Sequence, residues 1–94
     1  MAEEEFKQAV AFITNKSNPP LDSSNQQKLD FYALFKQATE GAPKGSAPSR
    51  LKVVERAKFM AWKAKAGLTK EQAMRAYVAE LAKLAPGWKA RSKL

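Results

Sequence analysis

The 94-residue sequence contains no cysteine and no histidine. Without thiols there is no disulfide framework and no thiol nucleophile; without imidazole there is no Ser-His or Cys-His pair and no ordinary zinc site. Those two absences remove most catalytic chemistry. Long apolar runs are also missing: none approaches the roughly 20 residues that cross a bilayer. The acidic start, Met1, Ala2, Glu3, Glu4, Glu5, is unlike a secretory signal, so a chain made and folded in the cytosol is expected. Neither a Gly-rich phosphate loop nor a G-x-x-x-x-G-K-[ST] pattern occurs. Any phosphate would therefore be held by Lys, Arg and Tyr side chains or by helix N-termini. Acid is scarce beside base, nine residues against seventeen, and the net charge of +8 favours an anionic partner. Charge alone does not choose among a phosphorylated metabolite, nucleic acid and an acidic membrane surface.

What is present suits one small soluble domain, with 45% hydrophobic and 28% charged residues and with Pro and Gly gathered between segments. Phe6, Ala9, Val10 and Ile13 follow the i, i+3, i+4, i+7 template of an amphipathic helix, whose first-turn glutamates complement its dipole. Ser17, Asn18, Pro19 and Pro20 are expected to end it, followed by a linker to Asp22. Ser24 with Gln27 fits a capping box opening a second helix, which runs through Leu29, Tyr32, Ala33 and Lys36 to a stop at Gly41. Ala42 to Ser49, rich in Pro, Gly and Ser, reads as a surface loop. A third helix is expected from about Leu51 to Ala66, with Gly67 as its stop. Thr69 and Gln72 form a second capping box, and Ala73, Ala76, Tyr77, Leu81 and Leu84 lay a stripe down a fourth helix to Pro86. No segment reads as a strand. The expectation is an all-α fold, a small four-helix bundle, because each amphipathic stripe needs another to bury it.

Within the second helix, Tyr32 and Lys36 stand one turn apart on a single face with Phe35 beside them. A ring and a cation together suit a ligand that carries both a π-system and a phosphate. Lys58 and Trp62 repeat that spacing on the third helix. Taken singly, Tyr32, Phe35, Trp62 and Tyr77 read as core aromatics and the lysines as solvated.

Three segments resemble the signature segments of acyl-CoA-binding proteins: Tyr32 to Gly41 (YALFKQATEG), Arg56 to Trp62 (RAKFMAW) and Lys70 to Val78 (KEQAMRAYV). The likeness begins at Phe6 and runs in order to about Leu84. It implies a four-helix bundle that holds the CoA head on its surface, shelters a fatty acyl chain in a groove and leaves the thioester unchanged. It also implies that Tyr32, Lys36 and Lys58 meet the adenine and ribose phosphate, that Tyr77 closes the site, and that Phe35 and Leu29 line the ligand's path. The sequence departs from the family pattern at Phe35, where tyrosine is common, and at Phe59, where tryptophan is usual. Lys28 stands in a place that is often apolar, Ala42 replaces a usual aspartate, and the segment before the second helix is longer.

Ser92, Lys93 and Leu94 end the chain as the S-K-L address read by the peroxisomal import receptor. The sequence therefore divides into an acyl-CoA-binding domain over residues 1–86 and a flexible tail over 87–94. The expected function is non-enzymatic: a monomer that binds, buffers and carries medium- to long-chain fatty acyl-CoA in a peroxisome or related organelle, or else in the cytoplasm. Fatty acyl-CoA is the expected ligand and no cofactor is expected. Beyond the import receptor, acyl-CoA-using enzymes are candidate partners. The rival reading, a basic helical module for nucleic acid, lacks a recognition-helix motif. A small thioesterase or acyltransferase lacks His, Cys and a plausible carboxylate pair.

Overall fold

The computed structural model describes residues 2–15 and 23–89. The expected break at Ser17 to Pro20, the linker to Asp22 and the Ser92 to Leu94 signal lie outside them. The described residues form four α-helices and no strand: α1 (Ala2–Thr14), α2 (Asn25–Glu40), α3 (Val53–Ala64) and α4 (Lys70–Leu84). Both capping boxes form. Ser24 Oγ accepts from Gln27 N at 3.1 Å while Ser24 N donates to Gln27 Oε1 at 2.8 Å. Thr69 and Gln72 repeat the exchange at 3.0 and 2.9 Å. Each box satisfies two backbone or side-chain groups that the helix start would otherwise leave open, so these two entries are fixed locally.

Gly41 ends α2 as expected. Its N–H donates to Gln37 O at 3.1 Å, and its backbone lies at φ +81°, ψ −159°. Only glycine occupies that region without strain of about 1–3 kcal/mol. The helix stops here for backbone reasons, since a Cβ would meet nothing nearer than the Lys70 Cε at 3.7 Å. Gly67 was expected to play the same part for α3 and does not. The helix ends at Ala64, and tight i→i+3 bonds follow, from Lys65 N to Trp62 O and from Ala66 N to Lys63 O. Positive φ occurs among the described residues only at Gly41 and Gly45.

The spatial order is α1, α4, α2, α3, with α4 packed on α1 and α2, and α3 packed mainly on α2. Apolar burial follows that order: Phe6, Ala9 and Phe12 of α1, Leu34 and Ala38 of α2, and Ala73, Tyr77 and Leu81 of α4 make one cluster. Helix α3 buries no residue completely. It is therefore an outer wall leaning on α2, not a part of the core. Gln37, itself buried, donates from Nε2 to Leu68 O at 2.7 Å and pins α2 to the turn between α3 and α4.

The packed body also continues past the boundary expected at Pro86. Ala85 and Trp88 are buried, Trp88 at 2% exposure, and the Trp88 ring lies 6.1 Å from that of Phe12. Lys89 pairs with Glu5 of α1. Pro86 and Gly87 make a turn that folds the chain back onto α1, so residues 87–89 are docked and the flexible-tail reading does not hold for them. Burial of the Trp88 ring offsets the entropy of ordering the three residues that carry it.

Candidate ligand-binding site

Helix α3 runs in the same direction as α2. Lys58 sits at Tyr32, and one turn later Trp62 sits at Lys36 and Gly41. Parallel neighbours require the connecting chain to travel back along their length, about 18 Å for a helix of this size. Residues 41–52 are long enough to do so. The Pro- and Gly-rich loop is thus the crossover that sets the register of the two site helices.

That register brings together four of the residues singled out from sequence, Tyr32, Lys36, Lys58 and Trp62. The Lys58 ammonium stands 5.4 Å from the centre of the Tyr32 ring, and the Lys36 ammonium 5.0 Å from the Trp62 ring. Two cation–aromatic pairs therefore bridge α2 and α3. The Trp62 indole N–H donates to Gly41 O at 2.8 Å, which fixes its ring at the end of α2. Lys36 also donates to Glu40, and that hydrogen bond holds its ammonium above the usual lysine range against partial burial. Lys58 is exposed and, among the described residues, has no carboxylate partner. The face offers one committed cation, one uncommitted cation and two rings.

The other predicted residues lie around this group. Leu29 is half-buried one turn before Tyr32 on α2. Phe35 turns to the opposite flank of α2, 37% exposed, with its ring 6.1 Å from Phe6. There it lines an open cleft of about 490 Å³ between α1, α2 and α4, with Phe6, Val10 and Met74 on the walls and Lys7 and Lys70 at the rim. Tyr77 does not join the two lysines. It is buried edge-on against Phe6 at 5.1 Å and Phe31 at 5.2 Å, and burial pushes its hydroxyl up to about 12. The hydroxyl stays protonated and neutral. Periodicity read Phe6 and Val10 as core stripe and passed over Met74; Phe35, read singly as a core aromatic, instead stands exposed beside them.

Residues 3–81, from the first turn of α1 to Leu81 of α4, match the family model described as acyl CoA binding protein. The chain belongs to the acyl-CoA-binding protein family. It is 42% identical over 83 residues to an acyl-CoA-binding protein homolog of Manduca sexta, covering 87% of this chain and 89% of that one. It is 36% identical over 88 residues to acyl-CoA-binding domain-containing protein 1 of Arabidopsis thaliana, covering 92% of this chain but 26% of that longer protein. The acyl-CoA-binding protein of Moniliophthora perniciosa has the same fold, with a TM-score of 0.83 at 32% identity over 99% of this chain and 90% of that one. The all-α acyl-CoA-binding fold expected from the three signature segments is the fold observed. The family match ends before Trp88, so the docked turn beyond α4 is a feature that the motifs did not announce.

Proposed function

We propose that this member of the acyl-CoA-binding protein family binds medium- to long-chain fatty acyl-CoA as a monomer, buffering and carrying the ester without altering its thioester. The observation that carries this reading is the meeting of Tyr32, Lys36 and Lys58 across two parallel helices. Tyr32 stacks on the adenine, the two lysines neutralise the ribose phosphate, and Coulomb attraction there exceeds its bulk value because the site is partly shielded from water. Leu29 meets the apolar part of the ligand, while Tyr77, buried against Phe6 and Phe31, supports α2 from behind and Phe35 faces the cleft on the opposite flank. The residues that bind are thus ring, cation and aliphatic surface, which hold a ligand but move no proton. None of the comparisons points to nucleic acid.

A calorimetric titration across acyl chain lengths tests this. Each buried methylene contributes on the order of 0.8 kcal/mol, so lengthening the chain by two carbons strengthens binding about tenfold until the groove is filled. Saturation at one ligand per chain is expected, with free CoA much weaker. A flat response to chain length, or no saturable binding, overturns the reading.

The S-K-L end places this carrier, in our reading, in a peroxisome or related organelle that oxidises fatty acids, with acyl-CoA-using enzymes as its recipients. A fluorescent fusion with the tag at the N-terminus is expected to be organellar, and the same fusion lacking Leu94 cytosolic. Import that survives the deletion overturns the role given to the S-K-L end but leaves the binding proposal untouched.

A further inference from the structure

Apart from Phe35 on α2, the exposed large apolar side chains among the described residues lie on α3 and the turn before it. Leu51 is 93% exposed, Val53 71%, Val54 61% and Met60 44%. Val54 lies on the same side of α3 as Lys58, since positions four apart share a helix face. Val53 and Met60, seven apart, lie on the opposite, outward flank, and Leu51 stands at the turn just before them. Isolated exposed hydrophobics are ordinary, but two mostly exposed ones within three residues, Leu51 and Val53 at the start of α3, mark a surface with a partner.

The tip is built, not frayed. Leu51 N donates to Ser49 Oγ at 3.2 Å, Lys52 N to Ser49 O at 2.9 Å, and the Arg56 guanidinium to Pro48 O at 3.0 Å. These bonds satisfy the local backbone and hold Leu51 outward, so a move into an apolar medium leaves few main-chain groups unpaired and needs no new ordering. Charge selects the medium. Residues 41–69 carry seven basic side chains and a single acid, Glu55, a local charge of +6 out of +8 for the whole chain. Basic residues that are spaced singly in sequence are thereby concentrated on the loop and α3, with Arg50 and Lys52 directly flanking Leu51. A leucine 93% exposed between two long cations is not recessed in the kind of groove that grips a peptide. It matches the boundary of a bilayer, where the leucine enters the acyl region and the cations remain among anionic headgroups.

We propose that Leu51 and the outer flank of α3, together with Arg50 and Lys52, dock the protein on an anionic lipid bilayer surface. This goes beyond ligand binding and does not rest on it. The contact is peripheral, since none of the helices among the described residues is long and apolar enough to cross a membrane.

Co-sedimentation of the full chain, without ligand, with sucrose-loaded vesicles tests the proposal. Vesicles of phosphatidylcholine with ~30% phosphatidylserine are expected to bind at least tenfold more protein than pure phosphatidylcholine vesicles, with the difference shrinking as salt screens it. Leu51→Gln with Val53→Gln, at unchanged helical circular dichroism, is expected to weaken binding about tenfold. Arg50→Gln with Lys52→Gln is expected to do the same, whereas the charge-matched pair Arg75→Gln with Lys83→Gln on α4 stays within about twofold. The proposal is overturned if neither vesicle binds, if both bind equally, or if the α4 pair loses as much as the tip pair. An acyl-CoA titration on the same preparation reports separately on the carrier function.

Discussion

Replacing Lys58 with alanine is expected to weaken acyl-CoA binding by roughly ten- to a hundredfold, the value of one charge-assisted hydrogen bond in a partly shielded site. The expectation follows from how the two site lysines are employed. Lys36 already donates to Glu40 and lies over Trp62, so part of its charge is answered within the protein. Among the described residues, Lys58 has only the Tyr32 face beneath it. An exposed cation–aromatic contact contributes about 0.5–1 kcal/mol, so Lys58→Ala leaves the fold nearly as stable as before. The loss falls on the ligand instead. A comparison of full acyl-CoA with its 3′-dephospho form checks the assignment to the ribose phosphate. The mutant is expected to lose affinity for the former and little for the latter. An equal fall with both ligands means that Lys58 acts elsewhere.

The same pair of helices shows which parts of the site were legible in the sequence. Tyr32 and Lys36 were visible as neighbours because α-helical spacing makes them so, whatever the tertiary structure. Their meeting with Lys58 and Trp62 was not, since nothing local says that α3 lies parallel to α2. That information resides in the crossover of residues 41–52, whose composition announces a loop but not where it lands. The family resemblance supplied what periodicity could not. Boundaries set by backbone chemistry were read well: Ser24 with Gln27, Thr69 with Gln72, and Gly41 all act as expected. The expected α3 ran from Leu51 to Ala66 and overshoots by two residues at each end. Leu51 is the approximate start expected from sequence, whereas its side chain is exposed and gives the helix nothing to bury there. Tyr77, chosen for the site through the family motif, is also the core aromatic that its position in the α4 stripe implied.

Trp88→Ala is expected to cost about 3–5 kcal/mol, the range for truncating a fully buried aromatic. Two observations set that size. The side chain is 2% exposed and its ring meets Phe12 at 6.1 Å and 61°. The backbone N–H of Trp88, which the substitution keeps, donates to Ala85 O at 3.0 Å and closes the turn over Pro86 and Gly87. Removing the indole leaves a cavity between α1 and the end of α4 and releases the segment that carries Lys89 to Glu5. A small domain holds only about 5–15 kcal/mol in total, so the loss is a large share of its stability. For a chain of this length each kcal/mol moves the melting temperature by roughly 4–8 °C, so a fall of well over 10 °C is expected by circular dichroism. Trp88→Phe, which keeps a ring against Phe12, recovers most of it. The comparison separates two pictures of the chain's end. In a bundle complete at Pro86, Trp88→Ala melts within a degree or two of the parent; in a bundle locked by its own C-terminal turn, it does not. The distinction also reaches the cleft, because Phe6, which lines one of its walls, belongs to the same helix that Trp88 holds in place against α4.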